Sequence, residues 1–195
     1  MAQSLPARSK AALRAAALAA RDGLSREARA EAAQAVARHG LPFAVVKNTV
    51  IAGYSAIKSE IDPLPLIETL AAQGARLALP AVAAPGRELI FRAWSLGDRL
   101  RPGPLGIQEP SPGAGEVLPD IMLVPLAAFD RFGHRIGYGA GHYDLTFAHL
   151  RKIKPVIGVG LAFAVQEIEA IPALAHDVAL DYVLTETKTF EFRSS

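Results

Sequence analysis

The chain has 195 residues, of which 51% are hydrophobic, so it is long enough for one well-buried core and we expect one domain over residues 1–195. Its 21 lysines and arginines against 19 aspartates and glutamates leave a net charge of +2, far from the basic excess of a nucleic-acid-binding protein. It has no cysteine, which excludes disulfides, thiolate catalysis and cysteine-ligated zinc, and no apolar stretch of membrane-spanning length. We therefore expect a cytoplasmic protein that binds neither nucleic acid nor a membrane.

The N-terminal region predicts a helical hairpin over residues 6–39. Ser4 and Pro6 favour a helix start, Gly23 a stop, and Ser25 a second start. Two basic residues in the first of these helices are four positions apart (i and i+4), so their side chains project from the same face of the helix.

These two residues, Lys10 and Arg14, are spaced to bind successive phosphates of one ligand. An exposed helix face also tolerates two like charges at this spacing, and such a pair occurs more often on a surface than in a site. The pair alone leaves both interpretations open.

After the hairpin, predicted strands alternate with predicted helices. The strands are residues 49–54, 76–82, 88–94, 121–124, 156–159 and 181–184, the last one closing the sheet, and the helices are residues 63–73 and 142–152. This order predicts an α/β three-layer sandwich with a mostly parallel sheet and with ligand-binding loops at the carboxyl ends of the strands. The alternation in residues 88–94 indicates an exposed or edge strand. The glycine- and proline-rich residues 97–115 predict a long loop, either a flap over a substrate or a mobile connection.

Glu60 follows the first predicted strand, where open α/β sheets place ligand-binding groups. A carboxylate near the start of the next helix, where the helix dipole favours a negative charge, would occupy the same position. The position alone does not distinguish a binding residue from a favourable helix neighbour.

Residues 120–144 have the layout of an anion site. An apolar strand is followed by closely spaced glycines, by a candidate helix start and by Asp144, an acidic residue that can hold a metal ion. A plain glycine-rich turn would need no charges, whereas this stretch also contains Arg131, His134 and Arg135. The spacing matches neither the P-loop nor the dinucleotide-binding fingerprint, so the stretch alone does not identify the anion.

Familiar catalytic motifs are missing, because the chain has neither an H-E-x-x-H zinc motif nor a G-x-S-x-G nucleophile elbow. The charges that remain suit phosphate: Lys10, Arg14 and Arg135 as cations, with Asp144 and Asp177 as carboxylates. Mg²⁺ commonly takes one or two carboxylates together with phosphate oxygens and waters. A magnesium site is expected if the two aspartates converge in the fold.

Several motifs occur in an order that extends over nearly the whole chain. They are K-x-x-x-R at residues 10–14, Y-x-x-x-x-x-E-I-D at 54–62, G-I-x-E-P at 106–110, V-P-x-x-A-F-D-x-x-G-x-R-x-G-Y-G-x-G-x-Y-D at 124–144 and H-D-x-x-x-D-x-V-L-T-E at 176–186. Together they resemble the 5-formyltetrahydrofolate cyclo-ligase family, also called 5,10-methenyltetrahydrofolate synthetase. The long motif at 124–144 is specific, whereas the first two are weak by themselves.

The resemblance implies a monomeric cytoplasmic enzyme with a single cyclo-ligase domain, Mg²⁺ as cofactor and ATP as co-substrate. It would convert 5-formyltetrahydrofolate into 5,10-methenyltetrahydrofolate and release ADP and phosphate. The formyl oxygen would attack the γ-phosphate, and the second folate nitrogen would then close the ring and expel phosphate. This agrees with the residues, because phosphoryl transfer is catalysed mainly by positioning and charge neutralisation. The alternative is a relative that binds nucleotide or folate without turnover.

The resemblance also implies a role for each matching residue. The ATP-binding residues would be Lys10, Arg14, Arg135, Gly137, Tyr138, Gly139, Ala140, Gly141, His142 and Tyr143. The residues that bind the folate would be Arg14, Ser55, Glu60 and Tyr143, with Arg135 and Tyr143 as the catalytic residues and Asp144 and Asp177 as the magnesium ligands.

The chain shows three departures from the family pattern. His142 replaces the first of two tyrosines before the aspartate, and its charge is expected to make activity depend on pH near neutrality. Ala140 stands where the family commonly has glycine or lysine, so no lysine contacts phosphate there. The P-G-L-A-F-D segment reads P-L-A-A-F-D at residues 125–130.

Overall fold

The computed structural model describes residues 9–84, 86–174 and 177–193. Its helices are α1 (Lys10–Asp22), α2 (Arg26–His39), α3 (Leu64–Ala72) and α4 (His142–Leu150). Its strands are β1 (Val50–Ala52), β2 (Arg76–Val82), β3 (Leu89–Trp94), β4 (Arg101–Pro102), β5 (Gln108–Glu109), β6 (Ile121–Pro125), β7 (Ala128–Phe129), β8 (Arg135–Ile136), β9 (Ile157–Leu161), β10 (Tyr182–Leu184) and β11 (Thr189–Glu191). None of the helices in these ranges is long and apolar enough to cross a membrane.

The predicted N-terminal hairpin is confirmed as α1 and α2. The Ser9 hydroxyl accepts a hydrogen bond from the Ala12 N–H at 3.2 Å, and the Ser25 hydroxyl caps α2 in the same way. Such caps satisfy N–H groups that the first helical turn leaves without partners. The predicted start signals Ser4 and Pro6 lie outside the described residues.

Seven strands form one sheet in the order β11-β10-β9-β6-β1-β2-β3. The five central strands are parallel, and β3 and β11 pair antiparallel at the two edges. The prediction of an edge strand at residues 88–94 is therefore confirmed. The prediction that residues 181–184 form the last strand is wrong, because β11 adds one more strand beyond β10.

Helices cover both faces of this sheet, which confirms the three-layer α/β sandwich. Successive side chains of a strand point to opposite faces. On β6, Ile121 and Leu123 join the core beneath α2 and α3, whereas Met122 and Val124 join the core beneath α4. The central strands are buried on both sides, which explains why their sequences are continuously apolar.

Two short hairpins lie outside the main sheet. In the predicted loop at residues 97–115, β4 pairs with β5, so the loop contains a short hairpin. The second hairpin, β7 with β8, interrupts the anion stretch, and its turn surrounds the fully buried Asp130 carboxylate. Asp130 accepts hydrogen bonds from the N–H groups of Phe132 at 2.9 Å, His134 at 3.0 Å and Ile171 at 2.9 Å.

Candidate active site

A cavity of about 820 Å³ opens at the carboxyl ends of β1, β2 and β6. Open α/β sheets bind ligands at this edge, and the volume suits a small-molecule site. Every residue to which the sequence resemblance assigns a role lines it: Lys10, Arg14, Ser55, Glu60, Arg135, Gly137, Tyr138, Gly139, Ala140, Gly141, His142, Tyr143, Asp144 and Asp177. Arg131 and His134, which the sequence places beside the glycines, are not among the residues that line this cavity.

Helix α1 directs Lys10 and Arg14 into the cavity. Lys10 forms an ion pair with Asp177, and its side chain retains 26% of its exposure. The Arg14 Nε donates a hydrogen bond to the Gly137 carbonyl oxygen at 2.7 Å. Both side chains therefore line the cavity and have partners there, rather than extending only into solvent.

Arg135 enters the cavity from β8. Its Nη2 donates to Asp144 Oδ1 at 2.8 Å, its Nη1 donates to the Val178 carbonyl oxygen, and its guanidinium lies over the Phe147 ring. Burial lowers the pKa of Arg135, and the Asp144 charge opposes that change. Arginine nevertheless stays protonated, so the cavity contains a fixed, directed cation at this point.

The two predicted magnesium ligands, Asp144 and Asp177, converge on this cavity. Asp144 Oδ1 accepts from the N–H of Val178 at 3.0 Å, which ties it to the residue next to Asp177. Asp177 Oδ2 accepts from the Leu174 N–H at 2.6 Å as well as from Lys10. We call these five residues, Lys10, Arg14, Arg135, Asp144 and Asp177, the charged end.

The donor set at the charged end fits Mg²⁺ bound together with a phosphorylated ligand. The described residues contain no group of three or more histidine, aspartate or glutamate side chains arranged to hold a metal ion. Magnesium needs only one or two carboxylates when phosphate oxygens and waters supply its other ligands. Asp144 and Asp177 meet that smaller requirement.

The glycine loop, residues 137–141, connects β8 to α4 along the cavity. Gly139 has φ +104° and Gly141 has φ +68°, backbone conformations that side chains with a Cβ rarely adopt. Gly141 is the N-cap of α4, so the first N–H groups of that helix, which have no acceptor within the helix, face this loop. Gly133 lies in the turn between β7 and β8 and allows a close contact between backbone segments. A Cβ at this position would lie 2.9 Å from the Leu180 carbonyl oxygen.

Glu60 lies elsewhere on the cavity wall, in the loop after β1. It is 9% exposed, and its Oε2 accepts a hydrogen bond from the Ile57 N–H at 2.9 Å. Burial raises the pKa of Glu60, whereas hydrogen bonds from Ile57 and Tyr138 and the charges of Arg21 and Lys58 lower it. We call Glu60 with Tyr138 and the buried Tyr54 the Glu60 end.

Tyr143, in the first turn of α4, lies near charges from both ends of the cavity, Glu60 and Arg135. Burial and the Glu60 charge raise the pKa of its hydroxyl, and Arg135 opposes them. The hydroxyl therefore remains protonated at neutral pH and can donate a hydrogen bond. Tyr143 lines the cavity, and the charges of both Glu60 and Arg135 act on its hydroxyl.

Two of the three departures from the family pattern, Ala140 and His142, also line the cavity. Ala140 is exposed in the glycine loop. His142 begins α4, and its Nδ1 lies 2.7 Å from the Arg87 carbonyl oxygen. A carbonyl only accepts, so Nδ1 carries the hydrogen of this bond. His142 thereby joins the start of α4 to the loop before β3.

Sequence reasoning assigned no role to Glu109 or to Arg21. Glu109 is buried in the cavity wall, where its Oε1 accepts from the Val82 N–H at 3.0 Å; the G-I-x-E-P motif was its only signal. Arg21 lies behind the Glu60 end, and a basic residue in the last turn of a helix gives no sign of burial. The apolar part of the wall comes from Ile57, Pro80, Val82, Leu89, Ile107 and Leu145.

Sequence and structure comparisons agree on the relatives of this chain. The model of the 5-formyltetrahydrofolate cyclo-ligase family matches residues 6–186. The 5-formyltetrahydrofolate cyclo-ligase of Mycolicibacterium smegmatis is 36% identical over 191 residues, which cover 91% of this chain and 94% of the relative. That of Escherichia coli K12 is 33% identical over 153 residues, which cover 76% and 84%. The NMR structure of Aquifex aeolicus 5,10-methenyltetrahydrofolate synthetase is similar with a TM-score of 0.78 and 31% identity, and the match covers 95% of this chain and 94% of that one.

Proposed function

The chain belongs to the 5-formyltetrahydrofolate cyclo-ligase family and is an enzyme, and on that premise we propose that it uses ATP and Mg²⁺ to convert 5-formyltetrahydrofolate into 5,10-methenyltetrahydrofolate. ADP and phosphate are the other products. One observation carries the proposal: a single cavity joins a charged end suited to a triphosphate with an apolar wall and a buried carboxylate suited to a planar, hydrogen-bonding ring.

ATP binds at the charged end in this proposal. Lys10, Arg14 and Arg135 neutralise phosphate charge, and the amides of the glycine loop and of the start of α4 approach the phosphate oxygens. Asp144 and Asp177 hold Mg²⁺, which, when bound, neutralises charge on the transferring phosphoryl group. Lys10 and Arg135 now pair with these two aspartates, so binding of MgATP exchanges carboxylate partners for phosphate partners.

The folate binds at the Glu60 end. Glu60 accepts hydrogen bonds from the N–H groups of the pterin, Ser55 and Arg14 contribute polar contacts, and the apolar wall covers the ring faces. Tyr143 lines the junction of the formyl group and the γ-phosphate. The two substrates thus meet between two ends of the cavity that differ in charge and burial.

Chemistry in this arrangement requires no protein nucleophile. The formyl oxygen forms a bond to the γ-phosphorus while the bond from that phosphorus to the bridging oxygen of ADP breaks. The second folate nitrogen then attacks the formyl carbon and loses its proton to water, the carbon–oxygen bond breaks, and phosphate leaves with its electron pair. In this proposal Arg135 and Tyr143, which both line the cavity, supply donors that stabilise the charge that develops on oxygen at the junction.

The test follows the near-ultraviolet absorbance of the methenyl product. Purified protein with 5-formyltetrahydrofolate, ATP and Mg²⁺ is expected to develop this absorbance, and reactions without ATP or with excess EDTA are expected to remain flat. Saturable folate binding with no ATP-dependent signal at high enzyme concentration would instead identify a non-catalytic binding protein.

We also propose that the protein acts as a cytoplasmic monomer on these small molecules. The oligomeric state is a separate question from turnover, because one chain supplies every residue named for the cavity. Light scattering during size-exclusion chromatography measures it directly. A particle of about one chain mass, 20.6 kDa, is the expected result.

A further inference from the structure

Arg21 is a charged side chain buried behind the Glu60 end. It is 1% exposed, in the last turn of α1. Its Nε donates to the Ser59 hydroxyl at 2.9 Å, and that hydroxyl donates in turn to the Asp22 carboxylate. Within the described part of the chain, the buried Nη1 of Arg21 has no hydrogen-bond partner. Burying a charge that is incompletely paired costs free energy, so a stability role alone does not account for this residue.

The surroundings of Arg21 point to Glu60. Ser59, which accepts from Arg21, is the chain neighbour of Glu60. The guanidinium carbon of Arg21 lies 5.8 Å from the centre of the Tyr138 ring, and Tyr138 in turn lowers the pKa of Glu60. Arg21 therefore contacts both the loop that carries Glu60 and the aromatic side chain that faces it, although it is not part of the cavity lining.

From this geometry we infer that Arg21 is a positioning residue, which holds the Glu60 carboxylate and the Tyr138 ring in the arrangement that receives the folate. The inference rests on the proposed function, since it assumes that Glu60 binds that substrate. Arg21 touches no substrate itself. It acts through Ser59, through its contact with Tyr138 and through its charge.

Several titratable groups face Glu60, so the effect of the Arg21 charge has to be distinguished from the effects of the others. They are Arg21 on α1, Lys58 in the same loop, Tyr138 in the glycine loop, Tyr143 on α4 and Tyr54 after β1. The only cations among them are Arg21 and Lys58. Lys58 is exposed, so solvent screens its charge, whereas the Arg21 charge is buried.

Arg21→Met removes this charge and keeps most of the side-chain volume. We expect the KM for 5-formyltetrahydrofolate to rise about tenfold while the KM for ATP changes less than about twofold. The pKa of the Glu60 carboxyl should rise as well, measured by ¹³C NMR of glutamate-labelled protein and assigned with Glu60→Gln. Arg21→Lys keeps the charge, so the Glu60 pKa should return towards its original value.

Arg29→Met is the matched control in the same hairpin. Arg29 also donates to its surroundings, from Nη1 to the Leu24 carbonyl oxygen at 2.9 Å, but it is not among the charges that shift the Glu60 pKa. It should leave both KM values and the Glu60 pKa unchanged. A folded Arg21→Met protein with an unchanged folate KM or an unchanged Glu60 pKa would overturn the inference.

A second variant tests the inference if Arg21→Met does not fold. Ser59→Ala removes the acceptor of the Arg21 Nε and leaves the charges of Arg21 and Glu60 in place. A raised folate KM of this variant supports the inference, and an unchanged folate KM overturns it. The NMR measurement needs neither ATP nor folate. An enzyme without turnover would therefore contradict the proposed function, whereas an unmoved Glu60 pKa would contradict the role of Arg21.

Discussion

The two ends of the cavity stabilise their charges in opposite ways. At the charged end, three cations lie among two carboxylates, and Lys10 and Asp177 are still partly exposed. At the Glu60 end, one carboxylate is buried among tyrosines, and a buried arginine is fixed behind it. Partly exposed ion pairs contribute only about 0–1 kcal/mol, so Lys10 and Asp177 can exchange partners at little cost. At the Glu60 end the carboxylate is buried and hydrogen-bonded, so its position is fixed before a ligand binds.

This contrast predicts that each substitution will affect the kinetics of mainly one of the two substrates. Changes at the charged end should act on ATP and on turnover, and changes at the Glu60 end should act on folate. Four substitutions test this separation, beginning with the one for which we expect the largest effect.

Asp144→Asn should reduce turnover about a hundredfold or more, because it removes a carboxylate from the proposed magnesium site and the ion partner of Arg135. The measurement is kcat across a magnesium titration. Asp120→Asn is the matched control, because Asp120 also pairs with a cation, Lys154, but lies outside the cavity lining. Near-normal turnover of Asp144→Asn at limiting Mg²⁺ would remove Asp144 from the metal role.

Glu60→Gln should raise the folate KM about tenfold or more and leave the ATP KM nearly unchanged, because it removes the buried acceptor at the folate end. A KM change shared equally by both substrates would contradict the division of the cavity.

The same substitution has a pH signature in stability. Burial raises the pKa of Glu60 in the folded state above its ordinary value of 4.5. The contribution of Glu60 to stability is therefore complete below pH 4.5 and is lost as pH rises through the folded-state pKa. Glu60→Gln should therefore gain Tm relative to the parent protein between about pH 4 and about pH 8. Thermal unfolding at both pH values measures this difference, and a Tm difference that does not change with pH would argue against a buried, ionising Glu60.

Lys10→Ala should raise the ATP KM several-fold, up to about tenfold, with folate affinity little changed. Its ion pair with Asp177 is partly exposed, so the free energy of unfolding should change by less than about 1 kcal/mol. Lys154→Ala breaks the comparable pair with Asp120 and serves as control. Titrations in which folate binding weakens more than ATP binding would contradict the phosphate role of Lys10.

His142→Tyr should have the smallest effect, within about threefold in kcat/KM, because it restores the common family residue but loses the bond from Nδ1 to Arg87. Steady-state kinetics of the two proteins measures this effect, and a loss of more than about tenfold in kcat/KM would show that the bond to Arg87 matters more to the site than the aromatic ring.

Most of the fold is predictable because its signals are local. Caps, glycine stops and apolar runs specify the hairpin, α3, α4 and the central strands from a few neighbouring residues each. The missed elements are different. The hairpins of β4 with β5 and β7 with β8 have strands of two residues, too short for a periodic pattern, and β11 is a three-residue edge strand that depends on pairing with β10.

The candidate site divides in the same way. Its residue types and their order are readable in the chain, and a family resemblance is enough to name them. Their convergence is not readable, because Lys10 and Asp177 are 167 positions apart and meet only when the sheet order brings α1 beside the loop before β10. The same holds for Arg131 and His134, which lie next to the glycines in the chain but turn away from the cavity around the hairpin at Asp130.

By itself, the sequence determined the α/β class, the helical hairpin and the set of residues available for phosphate and folate chemistry, because each of these depends on spacing within a short segment. Only the tertiary structure decided that Lys10 pairs with Asp177 and Arg135 with Asp144, and that Arg21 is buried against the Glu60 loop. Charge pairing and burial are properties of packed surfaces, and those surfaces form when distant segments meet across the sheet.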